Sequence, residues 1–337
     1  MEVIFMRVML VTGGSGFIGS NFIRFFLRRN KNFIIVNLDN LSHSSSHDNL
    51  KDLGRSPRYH FVKGSIVNQD LVNYVIKRHR PDYIIHFASE PDVEKNNRNS
   101  ISITQTNVLG TQSLLESALY FWGKHQFEGN RFIHVSTDEV YGNTSDKEIF
   151  FSEESPVLPL NLYSASKAGA DLLVKSFAEA YDFPAIITRC CPNYGPHQKI
   201  ENFIPRCIKN ALSDTPIDLH NRSSDIKEWI YVLDHCVALI RVLFYGRTGE
   251  IYNIGSGEEI SNRDLVKMIL RLLRKPEDRI EFSDIKLLTQ NRCVLNSYKI
   301  RNNLGWSSKF KLEDGLRETI DWLKKSLTIE DDCILLK

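Results

Sequence analysis

The stretch VTGGSGFIGS, residues 11–20, decides the fold. It follows an apolar run, Arg7–Val11, and opens a helix-length segment, Gly16–Arg29. Its glycines are spaced Gly13-x-x-Gly16-x-x-Gly19. A turn of this kind needs a residue that tolerates positive φ, and a pyrophosphate needs close approach of the backbone. The helix N-terminus then offers unpaired N–H groups and a partial positive charge. A glycine triplet alone is weak evidence; the strand–loop–helix setting gives it weight. Further on, VNLDN places Asp39 at the end of the second apolar run. A carboxylate there accepts hydrogen bonds from a ribose and repels a 2′-phosphate, so the expected cofactor is NAD rather than NADP. The plainer alternative is a solvated loop acid.

Working outward, the first half alternates two kinds of segment. Arg7–Val11, Phe33–Leu38, Tyr59–Val62, Tyr83–Phe87, Phe132–Ser136 and Ala185–Thr188 read as buried strands. Gly16–Arg29, Gln69–Arg78, Thr104–Trp122 and Tyr163–Tyr181 read as helices. Apolar runs separated by amphipathic helices indicate a parallel sheet covered on both faces. The expected fold is α/β, a Rossmann-type doubly wound sheet over 1–189, with returns at about 230–260 and 303–325. A smaller C-terminal substrate-binding lobe takes 190–229 and 261–302; across the second half, helical periodicity recurs at Asn202–Leu212, Leu233–Phe244, Asn262–Leu273 and Glu313–Leu327. Residues 328–337 read as a poorly ordered tail.

Composition sets bounds on function. A net charge of +2 over 337 residues gives no electrostatic case for nucleic acid or an acidic membrane surface. Arg7 interrupts the first apolar run, which is too short to span a bilayer and reads as a strand rather than a signal peptide. The six cysteines show no CxxC spacing, so free thiols in a reducing cytoplasm are expected, with no metal.

Two further stretches carry chemistry. NLYSASKAGADLLVKSF puts Tyr163 and Lys167 four apart near a helix start, on one face. An ammonium and a positive nicotinamide ring beside the phenol would lower its pKa, leaving a base for a substrate hydroxyl proton. HVSTDEVYG ends a buried strand with Ser136 and Thr137, then sets Asp138 and Glu139 side by side. They read either as a solvated acidic turn or as an acid and a base held close together.

With VTGGSGFIGS, VNLDN, IIHFAS, TNVLGT, HVSTDEVYG, YSASKAGAD, NYGPHQ, WIYVLDH, GEIYNIGSG and KIRNNLGW, residues 8 to about 325 resemble extended short-chain dehydrogenases/reductases. The similarity is greatest to the dTDP-glucose 4,6-dehydratases and their UDP-sugar relatives. It implies C4 oxidation of a nucleotide sugar, loss of water across C5 and C6, and hydride return to C6. Asp138 would be the acid and Glu139 the base, with Thr137 beside Tyr163 at the C4 oxygen. It further implies cofactor contacts from Phe17, Ile18, Asn40, Ser65, Ile66, Phe87, Ala88, Ser89 and Asn107. Substrate contacts would come from Glu90, Asp92, Thr137, Asn193, Lys227 and Arg292. A homodimer through a four-helix bundle of the helices at 104–122 and 163–181 is also implied. Epimerases of the superfamily need only the Thr/Ser, Tyr and Lys set, so a 4-epimerase is the first alternative. A non-catalytic NAD-binding regulatory protein is the second.

The departures from that pattern lie mainly on the substrate side. Pro91, Asp92 and Glu94 stand where the family has a hydroxyl residue, a histidine and an aspartate. Pro192 replaces a substrate-binding asparagine, leaving Asn193 adjacent, and Lys227 replaces an arginine. The family's basic loop is reduced to IKLLTQNR, with Lys286 and Arg292 as the phosphate candidates and Gln290 between them; Ser65 replaces an adenine-side aspartate. These changes suggest a pocket retuned for another nucleotide sugar.

Overall fold

The structure, a computed structural model, describes residues 6–91, 100–220, 226–283 and 292–334. In chain order the first unit contains β1 (Arg7–Thr12), α1 (Phe17–Arg29), β2 (Phe33–Asp39), β3 (Tyr59–Lys63), α2 (Gln69–His79) and β4 (Tyr83–His86). It continues with α3 (Ser100–Thr104), α4 (Gly110–Trp122), β5 (Arg131–Thr137), α5 (Leu162–Tyr181) and β6 (Ala185–Cys190). Beyond it lie β7 (Asn193–Tyr194), α6 (Phe203–Leu212), β8 (Ile217–His220), β9 (Ile226–Glu228), β10 (Ile230–Tyr231), α7 (Val232–Tyr245) and β11 (Ile251–Ile254). The chain ends with β12 (Glu259–Ser261), α8 (Asn262–Leu273), β13 (Ile280–Ser283), β14 (Arg292–Cys293), α9 (Tyr298–Leu304) and α10 (Leu312–Ile334).

Seven strands form one sheet in the order β11-β6-β5-β4-β1-β2-β3. Every pairing in it is parallel. Alternate residues of each strand feed opposite faces, as the period of two requires. Met9, Val11, Ile35, Ile85 and Ile133 face one cluster with Phe22 and Phe26 of α1 and Leu239 and Val242 of α7. Leu10, Val36, Ile84 and Phe132 face the other with Val75 of α2, Leu114 of α4 and Val174 of α5. Both faces are dry, so the strands read as unbroken apolar runs. The strand order reverses between β1 and β4, and the crevice at their C-terminal ends is where such sheets bind ligands.

The smaller unit has its own core, in which α6, α8 and α10 pack around Ile204, Ile208, Val266, Ile269, Leu316 and Ile320. Its strands pair locally: β8 with β13, and β9 with β12 and β14. The partition differs in part from the sequence reading. The return over 230–260 is seen as α7 and β11, but Cys293, Leu295, Ile300, Leu304 and Trp306 also join the first cluster. Conversely, Leu312, Leu316, Ile320 and Leu323 of α10 share one helix face and close the small core. The helix runs on to Ile334, past the break expected at 328. The helix read over Thr104–Trp122 is α3 and α4 joined through a π-helical turn at Gln105–Leu109. Among the described residues no helix is long and apolar enough to cross a membrane. Cys190, Cys191, Cys207, Cys236 and Cys293 are free and buried.

Candidate active site

A cavity of about 1350 Å³ follows the crevice at the strand ends and opens toward the small unit. The glycine loop forms one wall with Gly13, Gly16, Phe17, Ile18 and Gly19. Gly13 has φ +71°, and a Cβ there would stand 2.5 Å from the Ala88 nitrogen. A Cβ on Gly19 would stand 2.5 Å from the Gly13 carbonyl oxygen. Glycine at these positions therefore lets β1, the start of α1 and the loop after β4 approach backbone to backbone. Asp39 and Asn40, Ser65 and Ile66, and Phe87, Ala88, Ser89 and Glu90 line the same cavity. Asp39 is buried, and its carboxylate accepts from Ser15 N (2.9 Å), Leu41 N (2.8 Å) and the Ser45 hydroxyl (2.9 Å). The acid thus organises the loops around it as well as facing the cavity.

The catalytic candidates converge where β5 meets α5. Thr137 caps the short turn after β5: its Oγ1 accepts from Glu139 N (3.2 Å) and donates to Asp138 Oδ1 (3.1 Å). Helix α5 begins at Asn161, whose Oδ1 accepts from Ser164 N at 2.7 Å in a capping box. The Asn161 amide also donates to Glu139 Oε2 (3.2 Å), tying that acid to the helix carrying Tyr163 and Lys167. The two acids sit in different surroundings. Asp138 is 2% exposed; burial first, and then the Glu139 charge, hold its carboxyl well above the usual range, with Lys227 and the Thr137 hydroxyl opposing. Glu139 is half-buried.

Burial also dominates at Tyr163 and Lys167. It pushes the Tyr163 phenol up, reinforced by Glu139 and Asp138 against a hydrogen bond from Ser89. It brings Lys167 down to about 8, with Asp171 opposing. Lys167 Nζ donates to Val135 O at 2.8 Å. The lowered phenol expected beside an ammonium and a nicotinamide ring is therefore not produced by the protein's own groups, because burial raises it and the Glu139 and Asp138 charges add to that.

Three of the expected contact residues have partners within the protein. Asn107 accepts from Glu90 N (2.7 Å) and donates to Glu90 O (3.0 Å) and the Ser166 hydroxyl (2.8 Å). Its amide fastens the loop after β4 to α5 and does not line the cavity. Asn193 turns inward, with Oδ1 2.9 Å from His235 Nδ1 and its amide donating to Cys191 O (3.0 Å). Arg292 is buried and spent: Nε and Nη2 hold the two Glu259 carboxylate oxygens at 2.8 Å, and Nη1 donates to Asp146 O (3.0 Å) and Ile149 O (2.6 Å). Lys227 does line the cavity, while Asp92, Glu94, Lys286 and Gln290 lie outside the described residues.

Sequence reading missed Lys199, Asn202 and Arg206, which bring the start of α6 onto the cavity. Their signal was the helix following directly on NYGPHQ. It also missed His134, Asp171 and Arg189, buried behind Lys167. Asp171 carried the one available signal, standing four residues beyond Lys167.

Comparison with known proteins identifies the family. The family model described as GDP-mannose 4,6 dehydratase matches residues 10–319. The low-salt glycan biosynthesis protein Agl12 of Haloferax volcanii is 42% identical over 313 residues, 93% of this chain and 97% of its own. A dTDP-glucose 4,6-dehydratase of Neisseria meningitidis serogroup B is 37% identical over 331 residues, 94% of this chain and 93% of its own. The crystal structure of dTDP-glucose 4,6-dehydratase from Bacillus anthracis in complex with NAD superimposes with a TM-score of 0.87 at 38% identity, covering 95% of this chain and 97% of that one. The chain therefore belongs to the GDP-mannose 4,6 dehydratase family, within the short-chain dehydrogenase/reductase enzymes.

Proposed function

We propose that the protein is an NAD-dependent 4,6-dehydratase of a dTDP- or UDP-hexose. The observation that carries this reading is the adjacent pair Asp138 and Glu139 in unlike surroundings, one buried with its carboxyl held well above the usual range, the other half-buried. NAD fits the cavity, because the close approach at Gly13, the N-terminus of α1 and Asp39 at the end of β2 are what a dinucleotide needs. When bound, NAD supplies a hydride acceptor and donor and a positive charge beside the phenol. Tyr163 takes the C4 hydroxyl proton, with the Thr137 hydroxyl beside it. Glu139 takes the C5 proton, made acidic by the C4 ketone. Asp138 protonates the C6 oxygen, which leaves as water. A 4-epimerase needs no such acid pair.

The remaining assignments belong to the same reading. Helices α4 and α5 pack side by side and leave Leu109, Tyr120 and Leu172 exposed. That apolar face suits a second copy of the chain in a four-helix bundle. The buried free thiols suit a cytoplasmic enzyme.

A panel of nucleotide sugars in D₂O, followed by mass spectrometry and NMR, tests the activity. A 4-keto-6-deoxy product carrying deuterium at C5 is expected. Glu139→Gln should stop C5 exchange, and Asp138→Asn should stop water loss. A product inverted at C4, with no C5 exchange, would sink the reading and favour the epimerase.

A further inference from the structure

Behind Lys167 lies a buried network of charged groups to which the dehydration chemistry assigns no role. Lys167 is 3% exposed, Asp171 2%, Arg189 4% and His134 fully buried. His134 Nε2 lies 3.5 Å from Lys167 Nζ and 3.4 Å from Asp171 Oδ1. Arg189 Nε donates to the other oxygen, Asp171 Oδ2, at 2.8 Å. Three elements supply these groups: β5 brings His134, α5 brings Lys167 and Asp171, and β6 brings Arg189. On the neighbouring strand β4, the His86 ring lies 5.3 Å from the His134 ring, centroid to centroid, tilted by 44°. Tyr163 occupies the turn of α5 before Lys167.

Charge balance singles out Asp171. Burial holds His134 down at about 4 and His86 well below its ordinary value, so both rings are neutral near pH 7. That leaves two cations, Lys167 and Arg189, and one anion. Burial works to raise the Asp171 carboxyl, but the hydrogen bond from His134 and the Arg189 charge outweigh it and keep the acid ionised. Burial likewise works to strip the proton from Lys167, and Asp171 opposes that loss. A cation out of water needs such a partner, since an isolated ion in the interior neutralises instead.

We propose that Asp171 is a positioning residue for the reaction: clamped by Arg189, its carboxylate is the fixed counter-charge that keeps Lys167 an ammonium beside Tyr163. The inference rests on the reading of Tyr163 and Lys167 as the proton-transfer pair. Its spacing is set by the helix, since residues four apart share a face. The role of Arg189 is to hold the acid in one rotamer and one protonation state.

The test is an NMR titration of the full-length protein carrying [¹³Cε]lysine, with the Lys167 resonance assigned by its loss in Lys167→Arg. Wild-type Lys167 should be charged at pH 7 and titrate near 8. In Asp171→Asn the midpoint should fall by about one pH unit or more, and the alkaline limb of the pH–rate profile should move the same way. Asp171→Asn leaves the buried Arg189 without its counter-charge and can fail to fold. The double variant Asp171→Asn/Arg189→Met removes both charges, which folds tolerate better, and should also lower the midpoint. A neutral Lys167 at pH 7 in the wild type, or an unmoved midpoint in either folded variant, overturns the proposal. The titration uses no substrate, so its failure is distinguishable from failure of the sugar panel.

Discussion

Gly13→Ala tests whether the glycine loop is as close to the sheet as its geometry states. Two costs arise there. The first is conformational: φ is +71°, and a left-handed residue with a Cβ costs about 1–2 kcal/mol. The second is steric: the new methyl would lie 2.5 Å from Ala88 N, 2.6 Å from Ala88 Cα and 2.9 Å from Phe87 C, all backbone atoms that cannot swing away. Overpacking of this kind adds about 1–3 kcal/mol. Gly129 supplies the control. Its φ is +73°, but nothing lies within 4 Å of a Cβ there. Gly129→Ala should therefore cost only the conformational part, about 1–2 kcal/mol, and Gly13→Ala about 2–5 kcal/mol. Denaturant midpoints at constant slope measure both. Calorimetric titration with NAD should show weakened binding in Gly13→Ala alone, because relief of the clash displaces Ala88 from the cavity wall. Equal costs at the two sites, with NAD binding intact in both, would refute the close-approach argument.

Other expectations follow from the same geometry. Arg292→Met breaks a buried pair with Glu259 and should cost about 3 kcal/mol, the low end for such pairs because Glu259 is 29% exposed; urea unfolding measures it, while KM should hold. A raised KM with unchanged stability would return Arg292 to the substrate's phosphates. His134 binds its proton less readily folded than unfolded, so the unfolded chain takes up more protons as pH falls from 6.5 to about 4. Stability should drop through that window by about 3 kcal/mol on this account, and His134→Gln should flatten the profile when melting is followed against pH. Leu172→Glu places a charge on the exposed face of α5 and should halve the particle mass in light scattering; an unchanged mass would move the proposed dimer interface elsewhere.

The large sheet was legible because burial on both faces writes itself as unbroken apolar runs, and the glycine loop names the strand where they start. Tyr163, Lys167, Asp138 and Glu139 were legible because each pair is local in sequence. What failed was long-range. Arg292 looked free in a basic loop, yet Glu259 and two carbonyls from 146–149 consume it. Nothing in the local sequence announces those partners. The internal partners of Asn107 and Asn193 were hidden for the same reason, since an amide shows its donors and acceptors but not where they aim. The lowered Tyr163 phenol was expected from the ammonium and the nicotinamide ring, and that local reading counts neither burial nor the carboxylates brought in from another element.

The seventh strand has a consequence for biosynthesis. β6 ends at Cys190 and its outer neighbour β11 begins only at Ile251, so roughly 60 residues, small-unit chain and then α7, are made in between. At about 5–20 residues per second, a nascent chain leaves the flank of β6 uncapped for several seconds. The unpaired edge of a mostly apolar parallel strand is an adhesive surface for other unfinished chains. On the ribosome, then, the vulnerable moment comes after the nucleotide-binding loops are complete and before residue 254 has emerged, and holdase chaperones should engage stalled chains of that length more than shorter or longer ones.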